Sequence, residues 1–144
     1  MSSISQVLSR KGGTVLAIDA DATLHSAAQM MAKHGIGSLA VRSAGAIVGI
    51  LSERDLVLRL ASGAGAVVVM TVRDAMHDLH EIDWDDDVRH AMTLMTDRQV
   101  RHLLVRRQGA LVGIVLIGDL VKTTIAEQEG AIASLHHYIT GQPD

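Results

Sequence analysis

The run Gly49-Ile50-Leu51-Ser52-Glu53-Arg54-Asp55 carries more chemistry than any other stretch of this chain. Apolar residues lead into Ser52, and a charged turn follows. That is the pattern of a strand ending at a helix N-terminus. Such an end offers free backbone N–H groups at the positive pole of a helix dipole, which suits an anion such as phosphate. Ser52 is placed to cap the helix and to show its hydroxyl to a ligand. Asp55, one turn in, is placed to accept two hydrogen bonds from a vicinal diol such as that of ribose. Arg54 has the reach and charge to meet a phosphate. The same residues also make a plain N-capped helix with an acidic first turn, which needs no ligand.

The elements that must position these residues occur twice. Residues 18–57 align with residues 82–121 at a constant offset of 64, and 16 of the 40 positions are identical. Ala46-Ile47-Val48-Gly49-Ile50 matches Ala110-Leu111-Val112-Gly113-Ile114, and Asp55-Leu56-Val57 matches Asp119-Leu120-Val121. A repeat of this length is one supersecondary unit used twice. Hydrophobic periodicity gives the unit as β-α-β-β-α. In the first copy, Val15 to Ile18 reads as a strand. A helix capped by Asp21 follows, with Leu24, Ala27, Ala28 and Met31 as its stripe and Gly35 as its stop. Strands at Ser38–Arg42 and Ile47–Leu51 then lead into the Ser52 helix. In the second copy, a strand near Leu79 to Ile82 precedes a helix that Asp85-Asp86-Asp87 opens. Strands at His102–Arg106 and Leu111–Val115 follow. A last helix runs from Ile117 toward Tyr138, with Gly130 as a possible break. Val67 to Met70 reads as extended. A short leading helix, Ile4 to Lys11, ends at Gly12-Gly13. The expected division is an N-terminal helix over 1–13, one repeat over 14–66, a second over 67–126, and a helix and tail over 127–144. The expected class is α+β, with mixed three-stranded sheets flanked by helices.

Composition narrows the function. The chain has 144 residues, 48% of them hydrophobic, with no Phe, one Trp and one Tyr, so its core is aliphatic. A net charge of −3 gives no electrostatic case for nucleic-acid binding. No apolar run is long enough to span a membrane, and the start lacks a signal-peptide pattern. The absence of Cys fits a cytoplasmic protein. No nucleophile–base pair, phosphate loop of the Gly-x-x-x-x-Gly-Lys type or two-metal carboxylate cluster is present, so no catalytic residue is assigned. Among the eight His, only His77 and His80 have ligand-like spacing, and they read as surface or cleft residues without metal. Asp85-Asp86-Asp87 reads as a helix cap. The Met-rich helices around Met30 and from His90 to Met95 read as core by their stripe at helical spacing, or, with Met30, Leu94 and Met95 partly outward, as a face suited to dimerisation.

Gly49 through Asp55, the repeat itself, and Arg101-His102-Leu103 ahead of Gly113 through Asp119 resemble cystathionine-β-synthase (CBS) domains. From about Lys11 to Glu127 the chain resembles the small bacterial proteins made of one CBS pair. The resemblance implies two β-α-β-β-α repeats related by a pseudo-two-fold axis and assembled as a disc-like homodimer. It also implies adenosine ligands (AMP first, then ATP, NAD(H) or S-adenosylmethionine) in clefts between the sheets. By position, Asp55 and Asp119 match the family's ribose-binding Asp, and Ser52 its helix-start hydroxyl. Arg54, Arg101 and His102 match its phosphate contacts. Two departures stand out. Leu116 replaces the usual Ser or Thr, and Gly37-Ser38 replaces the basic pair in the first copy. The Ser52, Arg54 and Asp55 cleft is therefore expected to be the better site. The implied function is a regulatory nucleotide sensor, not an enzyme, that acts in trans on an effector protein. The alternative is a structural dimer whose clefts are vestigial.

Overall fold

Short apolar runs with β-branched residues on either side of the tight turns Ala44-Gly45 and Gln108-Gly109 pair as hairpins, and each hairpin recruits one more strand. In this computed structural model, residues 2–11, 15–63, 65 and 67–140 are described, with side chains to residue 135. The elements are α1 (Ile4–Lys11), β1 (Ala17–Asp19), α2 (Leu24–His34), β2 (Ser38–Ser43), β3 (Ala46–Ser52), α3 (Glu53–Ala61), α4 (Val72–Ala75), β4 (Glu81–Asp83), α5 (Val88–Arg98), β5 (His102–Arg107), β6 (Ala110–Leu116) and α6 (Ile117–Thr140). They form two mixed three-stranded sheets, β1-β2-β3 and β4-β5-β6, flanked by helices. In each sheet the outer strand pairs parallel to the middle one and the hairpin is antiparallel. Each hairpin carries one irregularity, at Val41/Arg42 and at Val105/Arg106. The offset of 64 therefore holds down to the bulge.

The chain packs as two units, residues 14–80, and residues 1–13 together with 81–144. In the first, Ile18, Leu24, Ala27, Met31, Leu39, Val41, Leu51 and Val72 make an aliphatic core. In the second, Ile4, Val7, Ile82, Val88, Met95, Leu103, Val115 and Leu120 do so. Met95 is buried there, not turned outward, while Met30 and Leu94 are half-buried against their cores. Ala28 lies outside the α2 stripe and is exposed.

The first unit runs from 14 to 80, past the expected bound at 66, and residues 1–13 group with 81–144. Residues 67–80 pack with the first repeat, and α1 packs with the second. The reason is that the two segments do the same job. Val72 N and Arg73 N donate to the carbonyls of Ala22 and Ala20, and Ile4 N and Ser5 N donate to those of Asp86 and Trp84. The bridges Thr23–Thr71 and Ser3–Asp87 repeat the match. Each segment also covers a glycine. A Cβ on Gly49 would lie 2.8 Å from the His77 carbonyl and 3.2 Å from Met76 Sδ. One on Gly113 would lie 2.7 Å from a methyl of Leu8. The Val-Gly-Ile repeated in β3 and β6 is thus a packing requirement.

Local chemistry moves several boundaries. Thr23, not Asp21, caps α2 and accepts from Ser26 N, because Asp19 Oδ1 takes the Asp21 N–H in a turn that delays the helix. β1 consequently sits at Ala17–Asp19, and β4 sits at Glu81–Asp83, not at Leu79–Ile82. Val67–Val69 is a 3-10 turn rather than extended chain. Asp87 caps α5 and accepts from His90 N. Gly130 does not interrupt α6, which runs from Ile117 to Thr140. The Gly12-Gly13 stop and the tail 141–144 lie outside the described residues, as do the side chains of His136 to Ile139.

Candidate functional site

In residues 14–80 the candidate site is built where β3 becomes α3. Ser52 is 5% exposed, extended in backbone and capping α3. It forms a capping box with Asp55. Asp55 N donates to Ser52 Oγ (3.3 Å), and Asp55 Oδ2 accepts from Ser52 N (2.7 Å). The Ser52 hydroxyl adds a third contact to Oδ2 at 3.0 Å. The expected residues therefore meet, but Ser52 and Asp55 first satisfy each other.

His77 completes the arrangement. Its Nδ1 lies 2.8 Å from the same Asp55 Oδ2. The segment that follows α4 brings it there. His77 N donates to the Ile50 carbonyl at 3.0 Å, and Ile50 N donates back to the His77 carbonyl at 3.2 Å. Burial pulls the Asp55 carboxyl upward. Its hydrogen bonds to His77 and the Ser52 backbone, with the charge on His77, outweigh that and hold it below the ordinary aspartate value. Oδ2 is thus committed to the protein, and among the described residues no donor reaches Oδ1. Arg54 is exposed and makes no hydrogen bond or ion pair to a described residue, so its guanidinium is available to an anion.

In the other unit the equivalent place is the junction of β6 and α6. Asp119 Oδ2 accepts from Leu116 N at 2.9 Å, which is half of the capping box. Leu116 has no hydroxyl to complete it. Lys11, from the end of α1, donates to Asp119 Oδ2 at 2.9 Å and to the Ile114 carbonyl at 2.9 Å. Arg101 is exposed, and its carbonyl accepts from Ile117 N at 2.9 Å, which sets it beside the start of α6. His102 is half-buried and faces Leu116 across the hairpin. Gly37 and Ser38 hold the corresponding places beside α3, so that unit lacks the two basic groups. The structure groups Ser52, Arg54 and Asp55 in one unit, and Arg101, His102 and Asp119 in the other.

Sequence reasoning gave neither His77 nor Lys11 a role at these carboxylates. With His80, His77 reads from the sequence as a surface or cleft residue without metal. The signal was the position of both residues at the ends of segments that precede a repeat, which becomes informative only once α1 and α4 are seen to be equivalent. Among the described residues no cluster of three His, Asp or Glu side chains has metal-holding geometry. A cavity of about 360 Å³ lies between α5 and α6, walled in part by Val88, Met92, Thr96 and Thr124. It includes none of the candidate residues. No helix among the described residues is long and apolar enough to cross a membrane.

Comparison with known proteins gives a single family. The model of the CBS domain matches residues 4–62 and 72–125. The chain is 32% identical over 148 residues to the mitochondrial CBS domain-containing protein CBSX3 of Arabidopsis thaliana, covering 96% of this chain and 72% of that one. Among solved structures, it resembles the CBS domain NE2398 at 36% identity and a TM-score of 0.78, covering 86% of this chain and 98% of that one. It resembles a Burkholderia ambifaria protein with CBS domains at 30% identity and a TM-score of 0.81, covering 88% and 96%.

Proposed function

The chain belongs to the CBS-domain family, and on that premise we propose that it is a regulatory module that binds an adenosine nucleotide and acts in trans on an effector protein. AMP is the first candidate ligand; ATP, NAD(H) and S-adenosylmethionine share the adenosine group it would recognise. Asp55 and Asp119 accept ribose hydroxyls, and Arg54, Arg101 and His102 supply positive charge to phosphate. One observation carries the reading. The Asp55 carboxylate is fixed through Oδ2 by Ser52 and His77, while Oδ1 has no partner among the described residues. A carboxylate locked in place with one open acceptor is preorganised for a hydroxyl donor.

Recognition of this kind reaches micromolar affinity, about 8 kcal/mol, by adding aliphatic burial of the base to these polar contacts. A ligand regulates only by preferring one conformation. The protein acts as a homodimer. Exposed apolar side chains on α3 (Val57, Leu58, Leu60) and α6 (Ile125, Ile132, Leu135) support this, being surface that association would cover. The same surface, with Leu116 in place of a hydroxyl, favours a second reading in which the protein is a structural dimer with vestigial sites.

A thermal-shift panel with AMP, ADP, ATP, NAD, NADH and S-adenosylmethionine separates the two. A ligand at 100 times its dissociation constant adds about 2.7 kcal/mol. A wild-type shift that Asp55→Ala reduces is the expected result. Silence across the panel would favour the structural dimer.

A further inference from the structure

Lys11 stands outside both repeats, yet its ammonium does two things that the other unit divides between the backbone and the ring of His77. At Ile50, the carbonyl is satisfied by His77 N; at the equivalent Ile114, it is satisfied by Lys11 Nζ at 2.9 Å. Asp55 Oδ2 is held by His77 Nδ1, and Asp119 Oδ2 is held by the same Lys11 Nζ. The two residues arrive by equivalent routes, at the ends of the segments that carry α4 and α1.

The restraints on the two carboxylates are unequal in origin. Asp55 Oδ2 has three donors: Ser52 N, Ser52 Oγ and His77 Nδ1. Asp119 Oδ2 has Leu116 N and Lys11 Nζ. Remove Lys11, and Asp119 is left on a single backbone N–H, because Leu116 cannot provide the second bond of the box. Lys11 contacts Oδ2, the oxygen already taken by Leu116 N, and no described donor reaches Oδ1. The ammonium therefore fixes the carboxylate without covering its open oxygen.

We propose that Lys11 is a positioning residue for ligand recognition at Asp119, compensating for the hydroxyl lost at Leu116. This rests on the nucleotide-binding reading above and deepens it. The hydroxyl that the family resemblance marks as missing at Leu116 is offset by a residue from a remote helix, so the Asp119 site is competent. A carboxylate that must be immobilised on binding loses roughly three- to tenfold in affinity relative to one held beforehand. Lys11 is a third exposed and its partner about a fifth, so the pair adds little to stability and affects the ligand more than the fold.

The test uses the full chain in an Asp55→Ala background, which isolates Asp119. Adenosine is the probe, because a neutral ligand removes direct attraction between ammonium and phosphate; binding is followed by equilibrium dialysis. Lys11→Met should weaken adenosine binding roughly three- to tenfold with a melting shift of no more than about 2 °C. Leu116→Ser added to Lys11→Met should restore affinity, while Leu116→Ser alone should change it little. Unchanged or tighter binding in Lys11→Met would overturn the proposal, as would a loss that Leu116→Ser fails to repair. Absence of binding in the Asp55→Ala background, with the wild type still binding, would overturn it too. In these cases nucleotide binding through Asp55 survives. A wild-type chain that binds no adenine nucleotide or adenosine would remove the nucleotide reading and this proposal with it.

Discussion

Changing Asp55 to Asn keeps the shape of the side chain and removes its charge. Three contacts converge on Oδ2, at 2.7, 2.8 and 3.0 Å, and its side chain is 13% exposed. Each contact then falls from a charge-assisted to a neutral hydrogen bond, a loss of about 0.5–0.7 kcal/mol apiece after solvent competition. The expected cost at neutral pH is about 1.5–2 kcal/mol, or roughly 3–8 °C in melting temperature for a chain of this size. The pH dependence follows from the direction of the shift. The folded-state carboxyl lies below its ordinary value of 3.8, so its stabilisation is complete well above 3.8 and is lost as pH falls through the folded value. Urea unfolding of wild type and variant should show the full gap at pH 6 and a much smaller one at pH 3. A gap of the same size at both values would refute the assignment of this stability to the ionised carboxylate.

Three further outcomes follow from the geometry. Gly49→Ala sets a Cβ 2.8 Å from the His77 carbonyl, backbone that cannot step aside, and should cost about 2–3 kcal/mol in urea unfolding. Gly113→Ala meets only the end of Leu8, which can rotate, and should cost about 1 kcal/mol; equal costs would contradict this. Gln99 ends α5 at φ 56°, where the first repeat has Gly35 at 62°, so Gln99→Gly should stabilise by about 1 kcal/mol in the same assay.

Most of the scaffold could be read from periodicity and the repeat, because strand alternation, the Ser52 cap and the hairpin turns are local signals. The reciprocal bond from Ser52 N to Asp55, three residues on, went unread because the same carboxylate also suits a ligand diol. His77 and Lys11 were not legible either. They meet their carboxylates across 22 and 108 residues, through helices whose equivalence leaves no mark in the aligned residues. Thr23 took the cap from Asp21 because of one side-chain hydrogen bond from Asp19, a competition that propensity does not resolve. The repeated glycine was visible, but its reason was not, since Met76 and Leu8 cover it from outside the repeat.

Calorimetric titration of AMP into the wild type, Asp55→Ala and Asp119→Ala tests the central claim most directly. The account predicts binding to the wild type that weakens at least roughly tenfold, about 1.4 kcal/mol, in one or both variants. Wild-type binding that both variants retain unchanged would show that these carboxylates do not hold the ligand.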